Sequence, residues 1–288
     1  MWKIKFLCNR IAFSFKRNYE FRKYTKNIPF MFKILFLEIV IMLKFISKKF
    51  DRFHQKMFSI IKWDVIFTTP FWKFLASNPN WYFVMEENYE PMVKKIIIDN
   101  VSKFYNNQEN IFLNIWSHIW RRSIDLAKNH NYKCFAFEPS PLTYRNLKIN
   151  ILLSNVEDKV ITFNYWLWDK EDYLDFEYIP LHDWSSRVFQ KWFKQYRHSK
   201  MIKVPIKKMD DLNLWIKNNN IRLIMIDVEW FEYNVLKGMS DMLDALYDVD
   251  IIVEILPENK DKDNVIEYMK NKWYNVKQID DIDYLFRK

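Results

Sequence analysis

The chain has 288 residues, half of them hydrophobic, with two cysteines and a formal net charge of +9. A core of that size excludes a disordered chain, and two cysteines far apart in sequence exclude a disulfide-stapled scaffold. One residue is glycine and thirteen are tryptophan, where ordinary usage of roughly 7% would give about twenty glycines.

The basic charge belongs to an N-terminal arm. Residues 1–63 hold fifteen Lys and Arg against Glu20, Glu38 and Asp51, so the remainder of the chain is slightly acidic. Within the arm, Ile28 to Ile46 is the most apolar stretch, but Lys33, Glu38 and Lys44 interrupt it. Each such charge costs roughly 2.5 to 3.5 kcal/mol at a bilayer centre, which disfavours a span. Basic flanks and the Phe and Leu between them suit a helix lying on an anionic membrane surface, or a solvated helix packed on the domain. The arm carries no small-residue cleavage pattern after its apolar stretch, so the mature chain is expected to keep it. Few cysteines point to a reducing compartment, giving a cytoplasmic protein that contacts the inner membrane face peripherally through residues 1–63.

The boundary between the arm and the main domain is expected between Ile60 and Tyr89, giving domains of 1–80 and 81–288. From there the pattern predicts strand Ile111–Ile115, a helix from Ile119 to Asn129, strand Lys133–Phe137, helix Leu142–Leu153 and strand Val160–Asn164. A looser stretch from Tyr165 to Met209 follows, with strand-like Tyr173–Tyr178 and Met201–Ile206. Helix Asp210–Asn218, strand Arg222–Asp227, helix Phe231–Leu246, strand Ile251–Ile255 and helix Asn264–Asn271 restore the alternation. Closing strands Tyr274–Ile279 and Tyr284–Arg287 have no helix between them and predict an antiparallel hairpin. Strands separated by helices require an α/β, Rossmann-like, mostly parallel sheet with helices on both faces, plus the basic N-terminal helical extension.

In such sheets ligands sit beyond the carboxyl ends of the strands, at the switch point. The residues there are Asn114, Trp116, His118 and Trp120 after the first strand, and Glu138 after the second, 24 positions beyond Asn114. An acid at that offset is placed to accept hydrogen bonds from ribose hydroxyls, or else to face solvent before Pro139. Asp227 and Glu229 end the fourth strand and, on an extended segment, share one side. Paired carboxylates there suit proton removal, amine orientation or cation binding, or alternatively a helix start. Glu254 ends the fifth strand and offers a weaker form of the same argument. His182, Ser185 and Ser186, in the irregular stretch, suit acceptor contact or a polar surface turn. No second His or Cys stands at ligand spacing from His118 or His198, so no metal is expected.

Trp116 and Trp120 stand where a tight turn and close ligand approach call for a small side chain, and Trp230 has the same setting. Trp81, Trp166, Trp184 and Trp273 share a glycine-like context, whereas Trp2 and Trp168 do not. The pattern predicts a gene in which UGA encodes glycine, as it does in some bacterial codes, printed with tryptophan in its place.

At these residues the sequence resembles the FkbM family of class I S-adenosylmethionine-dependent methyltransferases, from about Tyr89 to Phe286. The segments that carry the likeness are Asn114 to Trp120, Phe137-Glu138-Pro139, the helix reaching Asn150 and Asn155, Asn164 to Lys170, and Ile226-Asp227-Val228-Glu229-Trp230-Phe231-Glu232 running to Gly238. The family has Gly where this chain has Trp116, Trp120 and Trp230, and commonly Asp where it has Asn114. The resemblance implies a seven-stranded Rossmann-like domain, S-adenosyl-L-methionine as cofactor, and methyl transfer to a hydroxyl of a sugar, glycan or related acceptor. It further implies that the first loop holds the methionine end, Glu138 the ribose and Asn164 the adenine region, with Asp227 or Glu229 near the transferring methyl. A competing expectation is a catalytically dead fold that docks through its arm to membrane or nucleic acid; no specific nucleic acid partner is expected of the enzyme.

Overall fold

A computed structural model describes residues 65–68, 73–76, 90–105, 109–118, 121–179, 186–190, 195–196, 199–214, 216 and 218–288. Expectations for the arm before residue 65, and for Trp81, Trp120, His182, Trp184, Ser185 and His198, lie outside these residues. The chain divides into two compact units, residues 1–82 with 180–183, and residues 83–179 with 184–288. The first contributes an antiparallel hairpin of β1 (Val65–Thr68) and β2 (Lys73–Ala76).

The second unit opens with α1 (Pro91–Lys103), which has proline in its first turn, where the missing N–H leaves nothing unsatisfied. Then follow β3 (Asn110–Ile115), α2 (Arg121–Asn129), β4 (Tyr132–Phe137), α3 (Pro141–Ser154) and β5 (Val160–Phe163). All six residues of β3 are buried, as a strand covered on both faces requires. Helix α3 also begins with proline and ends at Asn155, whose left-handed backbone (φ 54°) and N–H to the Ile151 and Leu152 carbonyls close the last turn.

A second sheet then interrupts the alternation, built from β6 (Trp166–Trp168), β7 (Asp172–Tyr178), β8 (Arg187–Val188) and β9 (Lys200–Lys208) in the order β6-β9-β7-β8. The main sheet resumes with β10 (Ile221–Ile226), α4 (Glu232–Gly238), α5 (Ser240–Ala245), β11 (Asp250–Glu254), α6 (Lys262–Asn271), β12 (Asn275–Gln278) and β13 (Asp283–Arg287). Its seven strands run β12-β13-β11-β10-β3-β4-β5, parallel except for β13, which is antiparallel to β11 and to β12. The strand order reverses between β3 and β10, which are paired in parallel, and this is the switch point of the fold.

Two expected helices differ. Of Asp210–Asn218, the described residues form part of a 3₁₀ turn, Met209–Asp211, then irregular chain at 212–214 and 216, and the start of a second 3₁₀ turn, Asn218–Asn220. Leu212, Leu214 and Ile216 are apolar at every second position and partly buried against the core, a spacing no helix face provides. The Asp210 carboxylate instead accepts the N–H groups of Asp241 and Met242 at 3.0 Å each, capping α5. That cap also explains why the expected Phe231–Leu246 helix is two helices broken at Met239. The single glycine lies at the break. A Cβ on Gly238 would meet the Trp168 carbonyl oxygen at 1.9 Å, so the backbone of α4 touches the end of β6 directly. Beside that contact the Asp169 carboxylate accepts from Lys237 at 2.6 Å and Asn234 at 3.1 Å. Partial desolvation opposes ionisation of Asp169, but these two donors hold its carboxyl below the usual range.

Candidate active site

Ile115 pairs with Ile226 across the switch point, and the Asp227 N–H donates to the Ile115 carbonyl at 3.3 Å. The turns leaving β3 and β10 are therefore immediate neighbours. Both turns leave their strands through left-handed backbone: Trp116 has φ 66° and His118 φ 51°, Glu229 φ 48° and Trp230 φ 86°. For an L-residue this region costs roughly 1–2 kcal/mol, and glycine avoids the cost. Five tryptophans fall among the described residues, and three of them, Trp116, Trp230 and Trp273 (φ 67°), have positive φ. The expectation of glycine geometry at these three positions matches the backbone. Trp166 departs from it, since it is a strand residue 2% exposed whose ring packs against Trp116 (5.2 Å), Phe176 (5.9 Å) and Phe231 (6.4 Å).

On the β3–β4–β5 side the polar residues form one cluster. The Ser117 N–H donates to the Phe137 carbonyl at 2.8 Å, laying the turn beside the end of β4. Glu138 is fully buried, and its carboxylate oxygens accept N–H groups of His118 and Ser140, each at 2.9 Å. Every carboxylate oxygen has a second lone pair, so these bonds orient the group without exhausting it. The Asn164 amide donates to the Glu138 and Pro139 carbonyls at 2.8 and 3.1 Å, binding the ends of β4 and β5 together. Asn114 donates to the Ser123 hydroxyl at 2.9 Å and so ties the end of β3 to α2. Burial lowers the His118 imidazole to about 4, so it is neutral. The Ser117 hydroxyl is buried with no hydrogen bond among the described residues, an orphan that a polar ligand would satisfy.

On the β10 side, Asp227 and Glu229 are not on an extended segment as alternation implies, because the chain turns left-handed at Glu229. Their charges nevertheless interact. Burial, then the Glu229 charge, pushes Asp227 up to about 7, with Arg122 opposing; burial raises Glu229, with Arg187 opposing. Glu232, Glu254 and Asp283 join them, pushed up by burial first to about 8, 9 and 7. Among the described residues, no group of three or more His, Cys, Asp or Glu side chains is placed to hold a metal ion.

Raised carboxyl values tie stability to pH. The folded chain holds protons on these carboxyls that the unfolded chain releases from its ordinary 3.8 and 4.5, so their contribution to stability is highest below that range and falls as pH rises to about 9. His118, lowered to about 4, acts in the opposite sense only below about 6.5. The loss across the window is expected to be on the order of a few kcal/mol. Urea midpoints that rise from mildly acidic to alkaline buffer would contradict this sign.

Ser186 is 1% exposed, and its hydroxyl oxygen accepts the Ile179 N–H at 2.9 Å, just beyond the paired ends of β7 and β8. Sequence reasoning gave no individual role to Ser117, Arg122, Arg187, Glu232 and Asp283, although Ser117 and Glu232 lie in the segments that carry the family likeness. Arg122 had a signal: a cation in the first turn of a helix opposes the helix dipole and needs a compensating acid. It finds Glu90, with which it forms an ion pair, and its charge also reaches Asp227 and Asp283.

No curated protein sequence matches the chain. Similar solved structures include M. jannaschii TYW2 in complex with AdoMet, 14% identical, covering 78% of this chain and 84% of that one, with a TM-score of 0.41. They also include precorrin-6y C5,15-methyltransferase from Geobacter metallireducens (11% identity, 67% and 86% coverage, TM-score 0.39). An rRNA methylase from Streptococcus thermophilus aligns at 13% identity over 66% of this chain and 92% of its own, with a TM-score of 0.40. The model of the methyltransferase FkbM domain matches residues 105–284, the span that contains both turns and every strand of the main sheet up to β13. With more than half its length in that match, the chain belongs to the FkbM methyltransferase family.

Proposed function

We propose that this chain transfers a methyl group from S-adenosyl-L-methionine to a hydroxyl of a sugar, glycan or related acceptor, and that its natural form carries glycine at 116 and 230. The observation that carries the reading is the switch point itself, with nucleoside-type polar groups on one turn and proton-accepting carboxylates on its neighbour. The buried, oriented Glu138 carboxylate suits the ribose, the Asn114–His118 turn the methionine end, and Asn164 the adenine side. The cofactor, when bound, supplies a sulfonium methyl that is already activated for transfer. The residues of the chain then have two tasks: to align the acceptor oxygen and to take its proton. Asp227, raised to about 7, and Glu229, raised by burial, suit that role near neutral pH. The basic arm, through residues 1–63, would bring this chemistry to an anionic membrane surface where lipid-linked sugars reside.

The test is transfer of labelled methyl from S-adenosylmethionine to cell-extracted glycans by protein carrying Trp116→Gly, Trp120→Gly and Trp230→Gly. Label in a glycan fraction supports the reading; no transfer and no heat on titration with S-adenosylhomocysteine reject it. In the same protein Glu138→Ala is expected to weaken S-adenosylhomocysteine binding by about tenfold or more, the loss of a charge-assisted hydrogen bond. Unchanged affinity in calorimetry would remove Glu138 from the cofactor site.

A further inference from the structure

We infer that Glu232 and Asn259 form a positioning pair that fixes the Asp227–Trp230 turn over the reacting groups. The inference rests on the function proposed above. Glu232 is the first residue of α4 and is 1% exposed, an unusual place for an acid that a helix start would accept at its surface. One of its oxygens accepts the Trp230 N–H at 3.2 Å, and the other accepts the Asn259 side-chain amide at 2.6 Å. Asn259 is itself fixed in the connection between β11 and α6. Its own N–H donates to the Leu256 carbonyl at 2.9 Å, and its side-chain oxygen accepts the Asp261 N–H at 2.9 Å.

A continuous bridge of hydrogen bonds thus runs from the loop after β11 to the backbone of the loop after β10. It ends on the residue that follows Glu229, in a pair of consecutive left-handed conformations (φ 48° and 86°). With glycine at 230 the strain rests on Glu229 (φ 48°), and such backbone persists only where its surroundings over-determine it. The bridge supplies that constraint, and it acts on the residue next to Glu229, where a shift of about 1 Å would misalign a proton acceptor. Among the described residues, the Glu232 and Asn259 side chains hydrogen-bond to Trp230, to Asp261 and to each other, whereas Glu138 accepts from His118, so their role is separable from cofactor binding.

The chemistry of the bridge permits a swap. In Glu232→Gln the side-chain oxygen still accepts the N–H of residue 230, but its new NH₂ faces the Asn259 NH₂, two donors with no acceptor between them. Asn259 cannot turn its amide without giving up the Asp261 N–H. Adding Asn259→Asp restores an acceptor opposite the glutamine and keeps the Asp261 bond.

In the glycine-restored protein, Glu232→Gln is expected to lower kcat about tenfold or more while the S-adenosylmethionine KM and the S-adenosylhomocysteine Kd stay within about twofold. The double variant is expected to recover most of the lost kcat, and hydrogen exchange at the amide of residue 230 is expected to quicken in the single variant and slow again in the double. Unchanged kcat and exchange in Glu232→Gln, equal loss of cofactor affinity, or no recovery in the double variant would each overturn the pair. Should Glu232→Gln fail to fold, exchange in the unsubstituted protein decides: the pair requires a protected amide at residue 230, and fast exchange there rejects it. If the glycine-restored protein neither binds S-adenosylhomocysteine nor transfers methyl, the functional reading fails, while the exchange readout still judges the bridge.

Discussion

Trp116→Gly and Trp230→Gly together are expected to convert a chain that binds S-adenosylhomocysteine poorly into one that binds it measurably in calorimetry. The two indoles stand on adjoining turns at the switch point, with φ of 66° and 86°, where each non-glycine residue costs roughly 1–2 kcal/mol. Relief of that strain is only part of the effect. Trp116 also packs its ring on Trp166 at 5.2 Å, so removing it sacrifices apolar contact while taking bulk out of the turn after β3. Stability and binding should consequently part company at 116: little net change in unfolding midpoint, a large change in affinity. Trp273 separates the two contributions, because it is 84% exposed and has almost no packing to lose. Trp273→Gly is therefore expected to stabilise by about 1 kcal/mol with no effect on binding. Intact mass of the protein from its natural source reads the same question directly. A value matching thirteen tryptophans would reject the UGA interpretation, and a value lower by one indolylmethyl-to-hydrogen difference at each such position would establish it.

Gly238→Ala is expected to be the most destabilising single-methyl change in the described residues, with a cost above about 4 kcal/mol. The added carbon would lie 1.9 Å from the Trp168 carbonyl oxygen and 2.7 Å from its carbon, and both are backbone atoms with no rotamer to yield. Separation is the only relief, and separating α4 from β6 would stretch the Lys237–Asp169 and Asn234–Asp169 bonds and expose Trp168 and Leu236. Thermal or urea unfolding of the variant reads the cost; a midpoint equal to that of the parent would show that this contact is looser than the geometry implies.

The main sheet was legible because its strands are short apolar runs bounded by turn residues, and Ile111–Ile115, Lys133–Phe137 and Ile251–Ile255 are buried on both faces. The closing hairpin followed from the missing helix between its strands. The second sheet was only half visible, since β6 is a three-residue Trp-Leu-Trp run and β8 has two residues, too short for any periodicity. Helix α1 escaped because Ile96, Ile97 and Ile98 are β-branched neighbours that do not sort onto one face. The Asp210 region misled for a different reason: its helix-start signal was real, but the carboxylate serves a helix that begins thirty residues later in the chain. Glu138 and Asp227 could be placed beside the switch point because strand ends are predictable. Glu232 and Asn259 could not, because their meaning lies in a bond between residues 27 apart.

The direct pairing of Ile115 with Ile226 makes the two crests of the sheet a single inheritable unit. A chimera that imports the crest of β3 from a relative, leaving that of β10 behind, would seat foreign side chains against an unmatched wall one peptide away. Loop grafts intended to change acceptor choice in this scaffold must therefore travel as a pair.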